Sequence, residues 1–174
     1  MSKIMDLLEP LAPRNFDKNE FFVLAILALV WTFLYLLQKS ERVLLKREII
    51  ALLVFNSWFG TVGDRLLAEK PLDLYDTLDY PYGEFFDSVL QVGVYPVPIV
   101  ISFYFYRKYQ MNNWVTILLW ALILTFLEWV SHKYFDVYHF KNWTTVYSFI
   151  FYAFAMIINV ALFNKVISRR NRKE

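Results

Sequence analysis

Four ionisable side chains near the end of one apolar run form the sharpest chemical pattern in the sequence. If one helix carries through them, Glu128, His132, Asp136 and His139 fall within about an 80° arc. They alternate carboxylate and imidazole and include the only two histidines. His132, Asp136 and His139 have the donor types for Zn²⁺, Mn²⁺ or Fe²⁺, with Asp64 or Asp87 available to complete the shell. Without a metal, Glu128 is the candidate general acid or base. The competing reading is plainer. A helix leaving a bilayer turns polar, and Trp129, Tyr134, Tyr138 and Trp143 are aromatic anchors of the kind found at that boundary. The spacing matches no established ligand motif.

Other polar groups converge on the same side of the expected topology. Asn56, Ser57, Thr61 and Asp64 approach the end of one apolar run, Glu84, Asp87 and Gln91 lead into the next, and Asn142 and Trp143 open the last. Polar groups at membrane depth are costly and are therefore functional candidates by default. Asn56, Asp64, Asp87, Gln91 and Trp143 are the candidate ligand contacts, with Asn56 deepest and Asp64 at the mouth of a pocket. Gly60 and Gly63, with Ser57 and Thr61, give either a close-packing helix face or a thin wall beside that pocket. Asn56 is expected to take an interhelical hydrogen bond, either from Asn159, the strongly polar residue deep in the last run, or from a hydroxyl. Pro96 and Pro98 each remove a backbone donor, so a kink or unwound turn is expected, with carbonyls near residues 92 to 94 needing other partners. Asp73, Asp76 and Asp79 recur every third residue, but the central glycine and bidentate glutamate of a Ca²⁺ loop are missing. The stretch reads as a solvated acidic loop lying on the interface through Tyr75, Tyr80, Tyr82, Phe85 and Phe86.

The elements that would position these groups are membrane spans. Hydrophobic residues make up 58% of the 174-residue chain, and they gather into runs near 21–37, 49–63, 89–106, 114–131 and 144–164. A bilayer core needs roughly 20 apolar residues as helix, and the second run, between Glu48 and Asp64, must borrow flanking turns. The expected fold is an all-α integral membrane protein, one transmembrane domain over residues 1–174 with five helices. Lys39, Arg42, Lys46, Arg47, Arg107, Lys108 and the tail from Lys165 to Lys173 share one side. The positive-inside rule then puts the C-terminus in the cytoplasm and the N-terminus outside, although Lys3, Arg14 and Lys18 would have to cross. Ile4, Met5, Leu7, Leu8 and Leu11 suggest an amphipathic turn at the headgroups. The basic tail reads as an anionic-lipid contact. The absence of cysteine excludes disulfides and thiolate chemistry, and five spans with a short tail leave no room for a nucleic-acid-binding domain.

A scatter of short motifs runs through this frame: Gly63–Asp64, Tyr95–Pro96, Leu119–Trp120, Glu128–Trp129, Trp143 and Tyr147–Ser148. Over about residues 50 to 163 the pattern resembles a family of small, functionally uncharacterised multi-pass membrane proteins of Bacillus, Clostridium and related spore-forming bacteria. The resemblance implies a bacterial cytoplasmic membrane and the five-helix plan, and brings no activity or cofactor. Asp64, Glu128 and Trp143 fall on the family's pattern, whereas His132 and His139 do not. Three functions stay open. The first is a bundle binding a small ligand or lipid in an outward-facing polar pocket, or serving as an accessory subunit to a membrane partner. The second is a membrane-embedded enzyme acting on a lipid or isoprenoid, with Glu128 as acid or base. The third is a homodimeric transporter of a small solute or one coupled to protons.

Overall fold

A computed structural model describes residues 13, 16–79 and 84–167 of the chain. The expected amphipathic turn from Ile4 to Leu11, Tyr80 and Tyr82, and the basic tail beyond Ile167 lie outside the described residues. The described residues form five long helical elements: α1 (Lys18–Ser40), α2 (Lys46–Ala68), α3 (Phe85–Lys108), α4 (Asn113–Phe135) and α5 (Thr145–Leu162), the last continued by a π-turn (Phe163–Ile167). By length and composition α1, α3, α4 and α5 could each cross a membrane. The second helix is as long as α1, at 23 residues, which gives roughly 34 Å of rise. It is longer than its apolar run because Lys46, Arg47 and Glu48 form its first turn and it continues past Asp64 to a last turn that begins at Arg65. Charged ends thus keep α2 outside the apolar class without shortening it.

The central element is α3, which packs against α1, α2 and α4, while α4 and α5 form an antiparallel hairpin. Two-thirds of its most apolar stretch is buried, against about a fifth for α1. Large apolar side chains of α1, α4 and α5, such as Leu29, Leu122, Phe126 and Ile150, are exposed, as lipid-facing residues would be.

Local chemistry explains the ends. Asp17 caps α1 through a reciprocal box in which Asp17 N donates to Glu20 Oε2 at 2.7 Å. Asn112 caps α4 by accepting from Trp114 N at 2.8 Å. The break in α3 is a π-turn over Leu90–Val94, closed by Tyr95 N donating to Leu90 O at 2.9 Å, with Pro96 opening the α-helical half. The carbonyls exposed by the break find donors on neighbouring helices. Ser57 Oγ on α2 donates to Val92 O at 3.4 Å, and Trp31 Nε1 on α1 donates to Gly93 O at 2.8 Å. Gly93 makes room for α1: a Cβ there would lie 2.8 Å from Leu27 Cδ1.

Asn56 and Asn159 form the expected pair, each amide donating to the other at 2.8 and 2.9 Å, and each also donating to the carbonyl four residues back, Leu52 O and Ala155 O. This reciprocal pair joins α2 to α5 in a buried setting. Asn56→Leu leaves the Asn159 amide short of partners and is expected to cost roughly 1–3 kcal/mol. The Asn56→Leu/Asn159→Leu double variant should recover most of that loss, as read by denaturant unfolding in micelles.

At one end of the bundle, the start of α2 meets the end of α3. Glu48, fully buried, takes a two-pronged contact from Arg107, whose Nη2 donates to Oε1 at 2.7 Å. Lys108 pairs with Glu41 at 2.8 Å. Arg107 and Lys108, read from the sequence only as orienting charges, are therefore also tied to specific carboxylates.

Two departures from the expected all-helical plan lie at the opposite end. Tyr75–Thr77 (β1) and Tyr138–Phe140 (β2) form a small antiparallel ribbon, with Tyr75 opposite Phe140 and Thr77 opposite Tyr138. The acidic stretch is not simply solvated. Asp73 and Asp76 both receive Lys141 Nζ, at 2.6 and 2.7 Å, while Tyr75, Leu78, Glu84 and Phe86 are buried.

Candidate functional site

Glu128 and Asp64 face a common chamber from α4 and α2. It is a cavity of about 220 Å³ whose wall is largely apolar, built from Phe22, Ile26, Phe59, Leu124, Phe151 and their neighbours. All five helices and the ribbon contribute to it, and Tyr75 and Tyr138 of the ribbon lie on its wall. Gly60 supplies a bare patch, where an added Cβ would sit 3.5 Å from Tyr95 Cδ2. Gly63 faces Phe151 of α5 instead, with 3.1 Å between its would-be Cβ and Phe151 Cζ. The small-residue face of α2 thus serves both expected purposes, close packing at Gly63 and Ser57 and a thin cavity wall at Gly60.

Each carboxylate is held by two neutral donors. Asp64 accepts from Tyr75 OH at 2.6 Å and from Gln91 Nε2 at 2.7 Å. Glu128 accepts from Ser148 Oγ and Tyr152 OH of α5, both at 2.5 Å, and Trp143 Nε1 donates to the same serine oxygen at 2.8 Å. Between the two systems, Tyr95 and Tyr138 share a hydrogen bond of 2.7 Å. Burial, with the neighbouring carboxylate Asp64, holds the Tyr75 phenol well above its ordinary range. Burial and then the charge of Glu128 do the same to Tyr138. Both phenols therefore remain protonated at neutral pH. Among the residues lining the chamber there is no Lys, Arg or His. Two acids thus share an apolar space with no basic side chain on its wall.

The other candidate ligand contacts divide. Asn56 lies on the cavity wall with both amide hydrogens committed, as described above. Trp143 is on the wall and tilted against Tyr75, with ring centres 5.7 Å apart. Asp87 and Gln91 face a separate cavity of about 60 Å³, where Gln91 Nε2 donates to both Asp64 and Asp87.

The stripe of Glu128, His132, Asp136 and His139 does not form. The helix α4 ends at Phe135, because Asp136 takes a left-handed backbone (φ 50°) and turns the chain into β2. His139 then lies on the ribbon opposite Asp76. His132 Nδ1 contacts Tyr138 O at 2.6 Å, and its ring stacks on Phe140. Asp136, whose carboxyl the Lys18 ammonium lowers below its ordinary value, pairs with Lys18. His132, Asp136 and His139 therefore serve three different local contacts and do not make one ligand set. Among the described residues, the acidic groups close enough to share an ion are Glu20, Asp79 and Glu84.

Sequence reasoning passed over Ser148, Tyr152, Tyr95 and Tyr138 as site residues. Ser148, Tyr152 and Asn159 do share one face of α5, at spacings of four and seven residues. That polar stripe in an otherwise apolar helix was the available signal. No protein-family model, curated protein or solved structure matches this chain.

Proposed function

We propose that the chain is a five-span protein of the bacterial cytoplasmic membrane whose outward-facing cavity binds a small apolar molecule carrying a cationic head. The observation that carries this reading is the pair of carboxylates, Asp64 and Glu128, on one chamber whose lining residues include no basic side chain. A buried carboxylate is costly without a counter-charge. An ammonium group between the two would provide it, and Tyr and Trp faces favour such cations. The apolar remainder of the wall suits a hydrocarbon or aryl body.

The topology supports the membrane reading. The basic link after α1 and the end of α3 meet at the end opposite the ribbon and its neighbouring acids, and the positive-inside rule then supports a cavity that faces outward. The resemblance to small membrane proteins of spore-forming bacteria agrees with that location. The bilayer is then the main partner, with anionic lipid at the basic tail. A larger membrane partner belongs to the accessory form of the same reading, and a homodimer to the transporter reading below.

The test is ligand binding to protein in lipid nanodiscs, followed by tryptophan fluorescence, to which Trp143 contributes from the cavity wall, with short alkyl and aryl amines compared against the matching alcohols. Amines should bind at least about tenfold more tightly, as expected for a charge-assisted contact. Equal binding of amine and alcohol would remove the cationic part of the proposal, and binding of neither would remove the pocket. Gly60→Leu, which projects a side chain beside Tyr95, is expected to abolish binding while leaving thermal unfolding cooperative.

One observation favours a second reading, a proton-coupled transporter. The π-turn of α3 places Leu90 and Val94 on the cavity wall, and broken helices flank binding sites in transporters. Amine flux into liposomes that disappears in Glu128→Gln would select it over simple binding.

A further inference from the structure

At the ribbon end of the bundle, away from the cavity wall, three acids from separate parts of the chain converge. Glu20 belongs to the first turn of α1, Asp79 follows the ribbon strand β1, and Glu84 caps α3. One oxygen from each lies within 4.8 Å of the others. The spacing is informative, because ligands about 2.4 Å from a central Ca²⁺ can be no more than about 4.8 Å apart.

The second observation concerns the oxygens themselves. Glu20 and Glu84 are both fully buried. Each spends one oxygen on a backbone amide: Glu20 Oε2 on Asp17 N at 2.7 Å, and Glu84 Oε2 on Asp79 N at 3.3 Å. Each keeps Oε1 buried with no hydrogen-bond partner. An orphaned carboxylate oxygen in a buried setting costs free energy unless a proton or cation meets it, and here the two glutamates that carry such oxygens belong to one cluster. Lys18, the basic residue adjoining this turn of α1, is engaged by Asp136. The helix N-termini favour a carboxylate at each end, but that accounts for single acids at two helices and not for their convergence with Asp79.

We propose that Glu20, Asp79 and Glu84 bind one Ca²⁺ ion. All-carboxylate oxygen donors suit a hard cation, and water fills the remaining positions of a six- to eight-coordinate shell. The ion ties the starts of α1 and α3 to the turn that follows the ribbon, so it fastens the outer cap of the bundle. Asp79 is the third member of the Asp73, Asp76, Asp79 series. The other two are committed to Lys141, so the repeat itself is not the site. This inference is independent of what the cavity binds.

The experiment uses the full chain in nanodiscs of zwitterionic lipid, freed of metal with EDTA and titrated with CaCl₂ by calorimetry. Thermal unfolding is followed in EDTA and in millimolar Ca²⁺. One ion per chain is expected, in the affinity range of about 10⁻⁴ to 10⁻³ M typical of extracellular modules, with a higher Tm in Ca²⁺. Glu84→Gln should weaken binding more than about tenfold and remove the Ca²⁺-dependent rise in Tm, while unfolding in EDTA no earlier than the wild type. Glu20→Gln provides the same comparison from the other helix, and Asp76→Asn should bind as the wild type does. A cooperatively unfolding wild type without saturable binding at millimolar Ca²⁺ would show that protons alone satisfy the three acids and would overturn the proposal. Wild-type affinity in both glutamine variants would place the ion elsewhere and overturn it equally.

Discussion

Arg107→Leu is expected to destabilise the protein by about 3–5 kcal/mol, because it strips a fully buried glutamate of its bidentate partner. Glu48 lies in the first turn of α2 with its Oε2 also accepting from Leu45 N at 2.9 Å, so it cannot simply swing into water without uncapping the helix. Arg107 itself covers the Phe163 ring, its guanidinium carbon 4.8 Å from the ring centre, and that packing is lost too. Unfolding in mixed micelles by denaturant measures the effect. The informative companion is Glu48→Leu/Arg107→Leu. Removing both charges at once also removes the desolvation cost of holding them, so the double variant should be much closer to the wild type than either single one. A double variant as unstable as Arg107→Leu would show that packing of the guanidinium on Phe163, and not the buried charge, carries the loss. Lys108→Ala, which breaks an exposed pair with Glu41, should change stability by less than about 1 kcal/mol.

The second large effect concerns the chamber and rests on the proposed cationic ligand. Glu128→Gln and Asp64→Asn should each weaken binding of an amine probe by roughly tenfold to a hundredfold, the scale of one charge-assisted contact. Binding of the matching alcohol should change little. Both substitutions conserve shape, and the hydroxyls of Ser148, Tyr152 and Tyr75 can rotate to accept as well as donate, so the fold should survive. The two carboxylates lie on different helices with separate hydrogen-bond systems. If they contact one ammonium, the losses should be less than additive, since the remaining acid still neutralises it. Full additivity would indicate two ligands, or two polar groups on one ligand.

Much of the frame was readable in the residues. Run length indicated the helices now seen as α1, α4 and α5, since a stretch of that length with at most one ionisable residue is favoured as helix in lipid. The second apolar run, bounded by Glu48 and Asp64, was read as needing flanking turns, and the helix Lys46–Ala68 takes them at both ends. Charged residues end an apolar run but not a hydrogen-bonded helix, and Glu48 in fact stabilises the first turn. The two prolines did predict the break in α3, and the orphaned carbonyls that follow from it. That Ser57 and Trp31 would answer them could not be read, because the donors come from helices distant in sequence. Asn56 could be matched to Asn159, the amide deep in another apolar run, with a hydroxyl as the alternative partner.

The site divides in the same way. Residue type singled out Asp64 and Glu128, because acids within apolar sequence are costly wherever they end up. The His132–Asp136–His139 stripe failed on one backbone torsion: the pattern assumed 3.6 residues per turn through Asp136, and the left-handed turn there ends the periodicity. Chain composition thus determined that long apolar helices must pack with a few polar residues among them, since solvation energies depend on residue type and run length. Which polar residues meet was decided by packing. The ribbon that brings Tyr75 beside Asp64, the serine and tyrosine of α5 that hold Glu128, and the three acids gathered from α1, the β1 turn and α3 all join positions far apart in the chain. Such contacts depend on helix register and loop closure, which no local periodicity encodes.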